Sequence, residues 1–463
     1  MFKEFLDPNF FVSELEDINR KLVKGAEILT TIADVEVEPT PKELVFEEDK
    51  MKLYHYLPGG ALTCPTPILI CYALVNRQYM MDLQSDRSLI RNLLGQGLDI
   101  YIIDWGYPDH GDRYVTMEDY IDVYLNDCVD VVRERTGCDK VNLLGVCQGG
   151  TFTVIYSALH AEKIRNLITM VAPVDFHTTD GLLNVWSQHM DIDNMVDTMG
   201  IIPGEFMNVG FLMLKPFQLM VDKYVGLMDN LDDPATVANF VRMEKWIFDS
   251  PAQAGEAFRK FLKDLYQENK LVKGELEIGD RRVDLKKITM PLLNIYATED
   301  HLVPPASSIP LNDLVGSKDK TLYSFPGGHI GIYVSSRSQK ELAPAVSQFL
   351  IERCPEGRDG NQVCGLPAMG TEVHPQAKMR AASPGRKPAT AKKSAAAASK
   401  AAVKPKKPAA KKSGSPGKKG SSPANKKAAP AKAKKAKGSP AKKSGPPAKK
   451  KPTTSAAKKA KKS

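Results

Sequence analysis

The sequence predicts an α/β fold in which a mainly parallel β-sheet carries helices on both faces, with a helical cap inserted into it and a basic tail following it. Three observations predict this. Short apolar runs alternate with helix-patterned segments, one internal stretch loses the strand rhythm, and residues 376–463 contain no Asp or Glu. Alternating strand and helix signals are what βαβ units produce, and such units assemble a parallel sheet.

Strands are expected at 68–72, 100–103, 141–144, 167–171 and 292–296, each a short apolar run such as Ile68-Leu69-Ile70-Cys71-Tyr72. Helices are expected near 83–95, 117–135, 149–160 and 336–351. Thr116, with Asp119 three residues on, reads as a variant capping box opening the second of these. Between Val174 and Lys287 the pattern is helical only. The expected organisation is an N-terminal segment 1–60, a core formed by 61–174 and 289–355, a cap over 175–288, a linker 356–375 and the tail. An insertion at this point lies over the C-terminal ends of the strands, where open α/β sheets bind ligands.

The formal net charge of +9 conceals two opposite parts. Residues 376–463 carry 29 Lys and Arg, whereas the preceding 375 residues hold 35 basic against 55 acidic side chains. The body is therefore near −20 and large enough for one core. The tail has no aromatic residue, and only Met379 and Val403 are large and apolar, so nothing offsets the entropy of ordering it and disorder is expected. Seven cysteines without a CxxC pair predict a reduced, cytoplasmic chain. An acidic N-terminus and the lack of any apolar run near 18 residues predict neither export nor a membrane span.

The chemistry centres on Leu144-Gly145-Val146-Cys147-Gln148-Gly149-Gly150, which follows an expected strand and opens an expected helix. This is the context of a nucleophile elbow, with Cys147 where Ser usually stands, and it specifies an α/β-hydrolase fold. Such an elbow needs an acid and a base, arriving later in that order. Asp300 follows the last of the expected strands in Ala297-Thr298-Glu299-Asp300-His301, and His329 ends Phe325-Pro326-Gly327-Gly328-His329. Glu299 and His301 are rivals that spacing does not remove. Backbone N–H groups of Gln148 and of Val75, in the loop after the first core strand, are the candidate oxyanion hole. No metal-ligand pattern accompanies these residues, and no cofactor is expected.

Cysteine in place of serine favours acyl exchange. A thiol with a pKa of about 8.5 is partly ionised at neutral pH, and a neighbouring imidazole increases that fraction. Its acyl-enzyme is itself a thioester, close in energy to the acyl donor, so the acyl group stays poised for a second nucleophile.

The segments Val75-Asn76-Arg77-Gln78-Tyr79-Met80-Met81-Asp82-Leu83, Gly145-Val146-Cys147-Gln148-Gly149-Gly150, Asp300-His301-Leu302-Val303-Pro304 and Gly327-Gly328-His329 together resemble the poly(3-hydroxyalkanoate) synthase family over about residues 1–355. The body is similar in length to the class III type. The resemblance implies that CoA thioesters of short-chain (R)-3-hydroxy acids are the substrate, and that His329 activates Cys147 to take up the acyl group. It implies that Asp300 orients His329 or activates the incoming hydroxyl. It also implies a second, non-catalytic subunit, homo-oligomers and a growing polyester granule as partners. Eight of the 17 methionines fall between residues 190 and 243, where they form either an adaptable helical core or a lid that touches polymer.

The tail resembles those of linker histones, with repeated units such as Ser415-Pro416-Gly417-Lys418-Lys419 and Ser439-Pro440-Ala441-Lys442-Lys443. Lys418, Lys419, Lys442 and Lys443 are its representative candidate contacts to DNA, made through phosphates and without regard to base sequence. That would hold granules beside the nucleoid. Polyphosphate, RNA, an anionic surface and the acidic body itself are competing polyanions. Two other functions compete: a Cys-dependent thioesterase or dienelactone-type hydrolase, and a DNA-binding protein using a non-catalytic hydrolase scaffold.

Overall fold

A computed structural model describes residues 16–17, 19–24, 27–28 and 35–354. The linker 356–375 and the tail with Lys418, Lys419, Lys442 and Lys443 lie outside the described residues.

The core is an eight-stranded sheet. Its strands are β1 (Lys42–Glu48), β2 (Met51–Tyr56), β3 (Cys64–Cys71), β4 (Leu98–Asp104), β5 (Val141–Val146), β6 (Ile164–Met170), β7 (Leu292–Ala297) and β8 (Lys320–Phe325). They lie in the order β1-β2-β4-β3-β5-β6-β7-β8. From β4 to β8 every neighbouring pair is parallel. β2 pairs antiparallel with both β1 and β4. The five expected strands are β3 to β7, and each is longer by one to three residues than its apolar run suggests.

Side chains alternate across the central strands, as a period of two requires. Leu69, Cys71, Tyr101, Ile103 and Leu143 enter the core on one face. Ile68, Ile70, Ile100, Ile102 and Leu144 enter the core on the other. A strand buried on both sides is mostly apolar, and β4 and β5, buried at every position, depart from this only at Asp99, Asp104 and Asn142.

The β1–β2 hairpin lies within the N-terminal segment 1–60, where no strand is expected from the sequence. β1 reads Lys-Glu-Leu-Val-Phe-Glu-Glu, too charged to resemble a buried strand, because it is an edge strand with one solvated face. Its two-residue turn is Asp49-Lys50, and Asp49 takes the positive φ of 52° that tight hairpins demand.

Four helices flank the sheet: α1 (Leu89–Gly95), α2 (Leu125–Thr136), α3 (Gln148–Leu159) and α4 (Ser336–Ile351). A helical turn over Asp119–Tyr124 leads into α2. The Thr116 hydroxyl accepts from the Asp119 N–H at 3.2 Å, and the Asp119 carboxylate accepts from the Thr116 N–H at 2.8 Å, so the capping box is present. α1 starts six residues later than expected. Ser88 caps it by accepting from the Arg91 N–H, while residues 82–88 form a small ribbon around the buried Asp82, which accepts from Thr40 and Ser88. Such local side-chain bonds compete with helix, and apolar periodicity does not register them.

Between β6 and β7 the chain makes a set of helices, the longest Pro234–Phe248. It departs from the helical-only expectation with two short antiparallel strand pairs, Ile201–Ile202 with Gln253–Ala254 and Glu277–Ile278 with Arg281–Arg282, each too brief to show as a periodic pattern. The helix roots, including Phe258, Phe261, Leu265 and Tyr266, belong to the same apolar cluster as α2 and α3. Farther out, Val209, Met213, Phe217, Met220, Val221, Tyr224, Val225 and Met228 are exposed. The methionines divide accordingly: Met190, Met195 and Met207 pack against the core, whereas Met199, Met213, Met220 and Met228 face solvent. Cys138 is disulfide-bonded, which corrects the expectation of a wholly reduced chain. Spacing reveals a pairing only where cysteines are close in sequence.

Candidate active site

β5 ends at Val146 and α3 begins at Gln148, leaving Cys147 alone in the turn. Its φ of 53° and ψ of −124° are strained for a residue with a side chain. The turn is held by the Cys147 N–H donating to the Met170 carbonyl at 2.9 Å and by Gly150 N–H donating to the Cys147 carbonyl at 2.9 Å. Gly149 is required by close approach, since a Cβ there would strike the carbonyl oxygens of Cys71 and Tyr72. The thiol is therefore presented above the sheet, half-buried, beside the mouth of a pocket.

Asp300 and His329 arrive from the loops after β7 and β8. His329 Nδ1 and Asp300 Oδ2 are 2.6 Å apart, and both residues are buried. The other carboxylate oxygen, Oδ1, accepts from the N–H groups of Leu302 and Val303 at 2.9 Å each. Both oxygens of Asp300 are thus engaged. Of the rivals, Glu299 is exposed. His301 is half-buried with its pKa pushed down by burial and by Lys215, and its ring bonds to no described residue. The structure therefore separates Asp300 from Glu299 and His329 from His301, which spacing alone left open.

Burial disfavours a charged His329 ring, but the Asp300 carboxylate and the Cys147 sulfur outweigh it by charge and by hydrogen bonding, and the pKa rises to about 10. At neutral pH the proton resides on the ring.

Val75 and Gln148 both line the pocket with Cys147 and His329. Gln148 is the first residue of α3, so its N–H belongs to the unpaired first turn of a helix. The Val75 N–H donates to no described residue. Two side-chain amides hold the loop just before it: Gln148 Oε1 accepts from the Leu74 N–H at 3.1 Å, and Gln253 Nε2 donates to the Leu74 carbonyl at 2.9 Å. Gln253 belongs to the cap and is buried, and sequence patterning gives no signal for its role.

The pocket has a volume of about 310 Å³. Its walls are mostly apolar and come from the cap, with Trp186, Met190, Phe211, Phe258, Phe261 and Tyr266 among them. Phe206 and Val209 line it and are also exposed, so the lining continues to the outer surface of the cap. Among the described residues, no helix is long and apolar enough to cross a membrane.

An eight-stranded sheet in this order, an elbow nucleophile and a His–Asp pair on the last two strand ends define the α/β-hydrolase class, and the model of the alpha/beta hydrolase fold matches residues 66–335. Within that class, the model of the poly-beta-hydroxybutyrate polymerase (PhaC) N-terminus matches residues 15–93. The poly(3-hydroxyalkanoate) polymerase subunit PhaC of Allochromatium vinosum is 56% identical over 355 residues, covering 76% of this chain and 100% of the relative. Its counterpart from a Synechocystis strain is 54% identical, covering 73% of this chain and 92% of the relative. The chain belongs to the poly(3-hydroxyalkanoate) polymerase PhaC family. Among solved structures, a putative lipase from Sulfolobus solfataricus aligns over 67% of this chain and 93% of its own, with 16% identity and a TM-score of 0.45.

Proposed function

We propose that this acyltransferase polymerises 3-hydroxyacyl groups from CoA thioesters through a covalent thioester on Cys147. Polymerisation rests on family membership and on relatives more than 50% identical over nearly their whole length. The observation that carries the mechanism is Cys147 at the elbow in the same pocket as His329, whose buried ring is held by Asp300 at 2.6 Å.

The ionised sulfur attacks the acyl carbonyl, and the N–H groups of Gln148 and Val75 receive the oxyanion. The CoA sulfur leaves with the proton of His329. Acylation removes the negative charge that helped to raise the ring's pKa, so the neutral imidazole can now take the proton of a 3-hydroxyl from a second unit. The hydroxyl oxygen attacks the thioester, an ester bond forms, and Cys147 is released. Two engaged carboxylate oxygens support an orienting role for Asp300 rather than direct attack on the hydroxyl proton.

A mostly apolar lining favours this outcome over hydrolysis, because it suits the acyl chain of a second hydroxyacyl unit better than it suits water. The exposed apolar residues between 206 and 228 support contact with the growing polyester granule, in a cytoplasmic setting and beside a second, non-catalytic subunit. The tail's charge supports tethering to DNA or another polyanion near the nucleoid.

The test is Cys147→Ala in the full chain, assayed for CoA release from 3-hydroxybutyryl-CoA with and without a companion subunit. Release should vanish while the circular dichroism is unchanged, and wild type should yield insoluble polyester. Retained release would refute the nucleophile, and free hydroxy acid as the sole product would assign a hydrolase.

A further inference from the structure

A second pocket, of about 480 Å³, opens at the opposite end of the sheet from Cys147, where β5, β6 and β7 begin. Lys140 immediately precedes β5 and Cys147 immediately follows it, so the two sites are separated by the length of that strand, about 20 Å at ~3.3 Å per residue. The lining includes Lys140, Arg165, Asn166, Thr289 and Arg353, and no carboxylate.

Three cations converge here on a body whose net charge is near −20. Arg353 is neutralised by Asp319 through two bonds of 2.8 Å. Lys140 and Arg165 form no ion pair with any described residue. Arg165 Nε and Asn166 Oδ1 are buried without a hydrogen-bond partner. Both atoms are closed off from the pocket, so the groups left to meet a ligand are the Lys140 ammonium and the terminal nitrogens of the Arg165 guanidinium, which are donors only.

We propose that this pocket binds an oxyanion of the phosphate class, at a site separate from the catalytic one. A hydrogenphosphate group accepts from the terminal nitrogens of Arg165 and from the Lys140 ammonium. Its double charge answers the two unneutralised cations, and phosphate geometry suits the planar donors of arginine. The bound anion spans the first residues of three strands and Arg353, two residues beyond α4, and so fastens the end of that helix to the sheet.

The test is thermal unfolding of the full chain titrated with potassium phosphate, against potassium chloride at matched ionic strength. Phosphate should raise the midpoint saturably and chloride should not. Arg165→Gln and Lys140→Gln should each weaken the half-saturating concentration at least tenfold while CoA release in phosphate-free buffer stays at the wild-type rate. Lys140 lies in a loop, so its variant carries the test should Arg165→Gln fail to fold. A rise that follows ionic strength alone, or one kept by Lys140→Gln, would overturn the site and assign the effect to the basic tail. Adenosine 3′,5′-bisphosphate in a parallel arm separates the sources: tighter binding than phosphate, lost in the same variants, assigns the pocket to the phosphate end of a nucleotide.

Discussion

Gln253 in the cap donates to the carbonyl of Leu74 at 2.9 Å, so the cap grips the backbone one residue before the proposed oxyanion donor Val75. Gln253→Leu leaves that buried carbonyl unsatisfied, at about 1–3 kcal/mol by the usual cost of such a loss. Most of this should appear in turnover, since a misaimed donor fails the transition state more than the ground state. We expect kcat for CoA release to fall about tenfold or more with KM within about twofold. An unchanged kcat would show that the loop is held without Gln253.

His329 gives a stability signature with a defined sign. Its pKa is raised from 6.5 to about 10, so the folded state binds the proton more tightly than the unfolded chain. The stabilisation is fully present below pH 6.5 and is lost as pH rises through about 10. The stability difference between wild type and His329→Gln, from urea unfolding, should therefore shrink across that window. A difference that is flat or grows with pH would contradict the ion-pair reading.

Asp300→Asn removes the carboxylate that orients the ring and helps to keep it charged. The rate of CoA release should drop by about 10²–10⁴, the span of a lost acid–base contribution, with little change in KM. The ring's pKa, followed by NMR, should fall in the same variant. A normal rate would transfer the role to another carboxylate.

Phe217 is 78% exposed and Val225 56% exposed, far more than large apolar side chains in a core. Replacing both with Ser should leave thermal stability nearly unchanged, within about 0.5 kcal/mol per exposed site. Co-sedimentation with polyester granules should weaken severalfold. Equal sedimentation would remove this face from the contact with polymer.

Truncation to residues 1–370 removes every lysine of the 376–463 segment and leaves the catalytic residues in place. In a gel-shift series the full chain should retain DNA with an affinity that falls steeply with salt, at a log–log slope near −9 if about ten cations meet phosphate. The truncated chain should not retain it, while its CoA release persists. Equal retention by both would end the tethering idea.

The middle of the sheet is legible because β3 to β7 are covered on both faces and so carry runs of buried apolar residues. The elbow was legible because a single geometry dictates glycine at 145 and 149. β1 was not, because an edge strand is half solvated and reads as a polar segment. Periodicity extends α1 back to residue 83 because the Asp82–Ser88 bond that ends the ribbon leaves no trace in it. Order along the chain placed Asp300 and His329 in plausible loops, but only three dimensions separate Asp300 from Glu299, or show Gln253 touching Leu74.

The cap leaves the sheet at the end of β6 and returns at β7, its immediate neighbour. Because these neighbours are parallel, the chain must also cross from one end of the sheet to the other before β7 begins, yet loop closure grows so slowly with length that doubling such an excursion adds only about 0.6 kcal/mol. The catalytic frame is thus nearly indifferent to the size of what it carries, and the cap can be exchanged as a cassette. Chain order adds a timing rule: Cys147 is synthesised before the cap, and Asp300 and His329 after it. A nascent chain that has just exposed its thiol cannot yet polymerise anything, and the centre becomes competent only once the roof over it has been made.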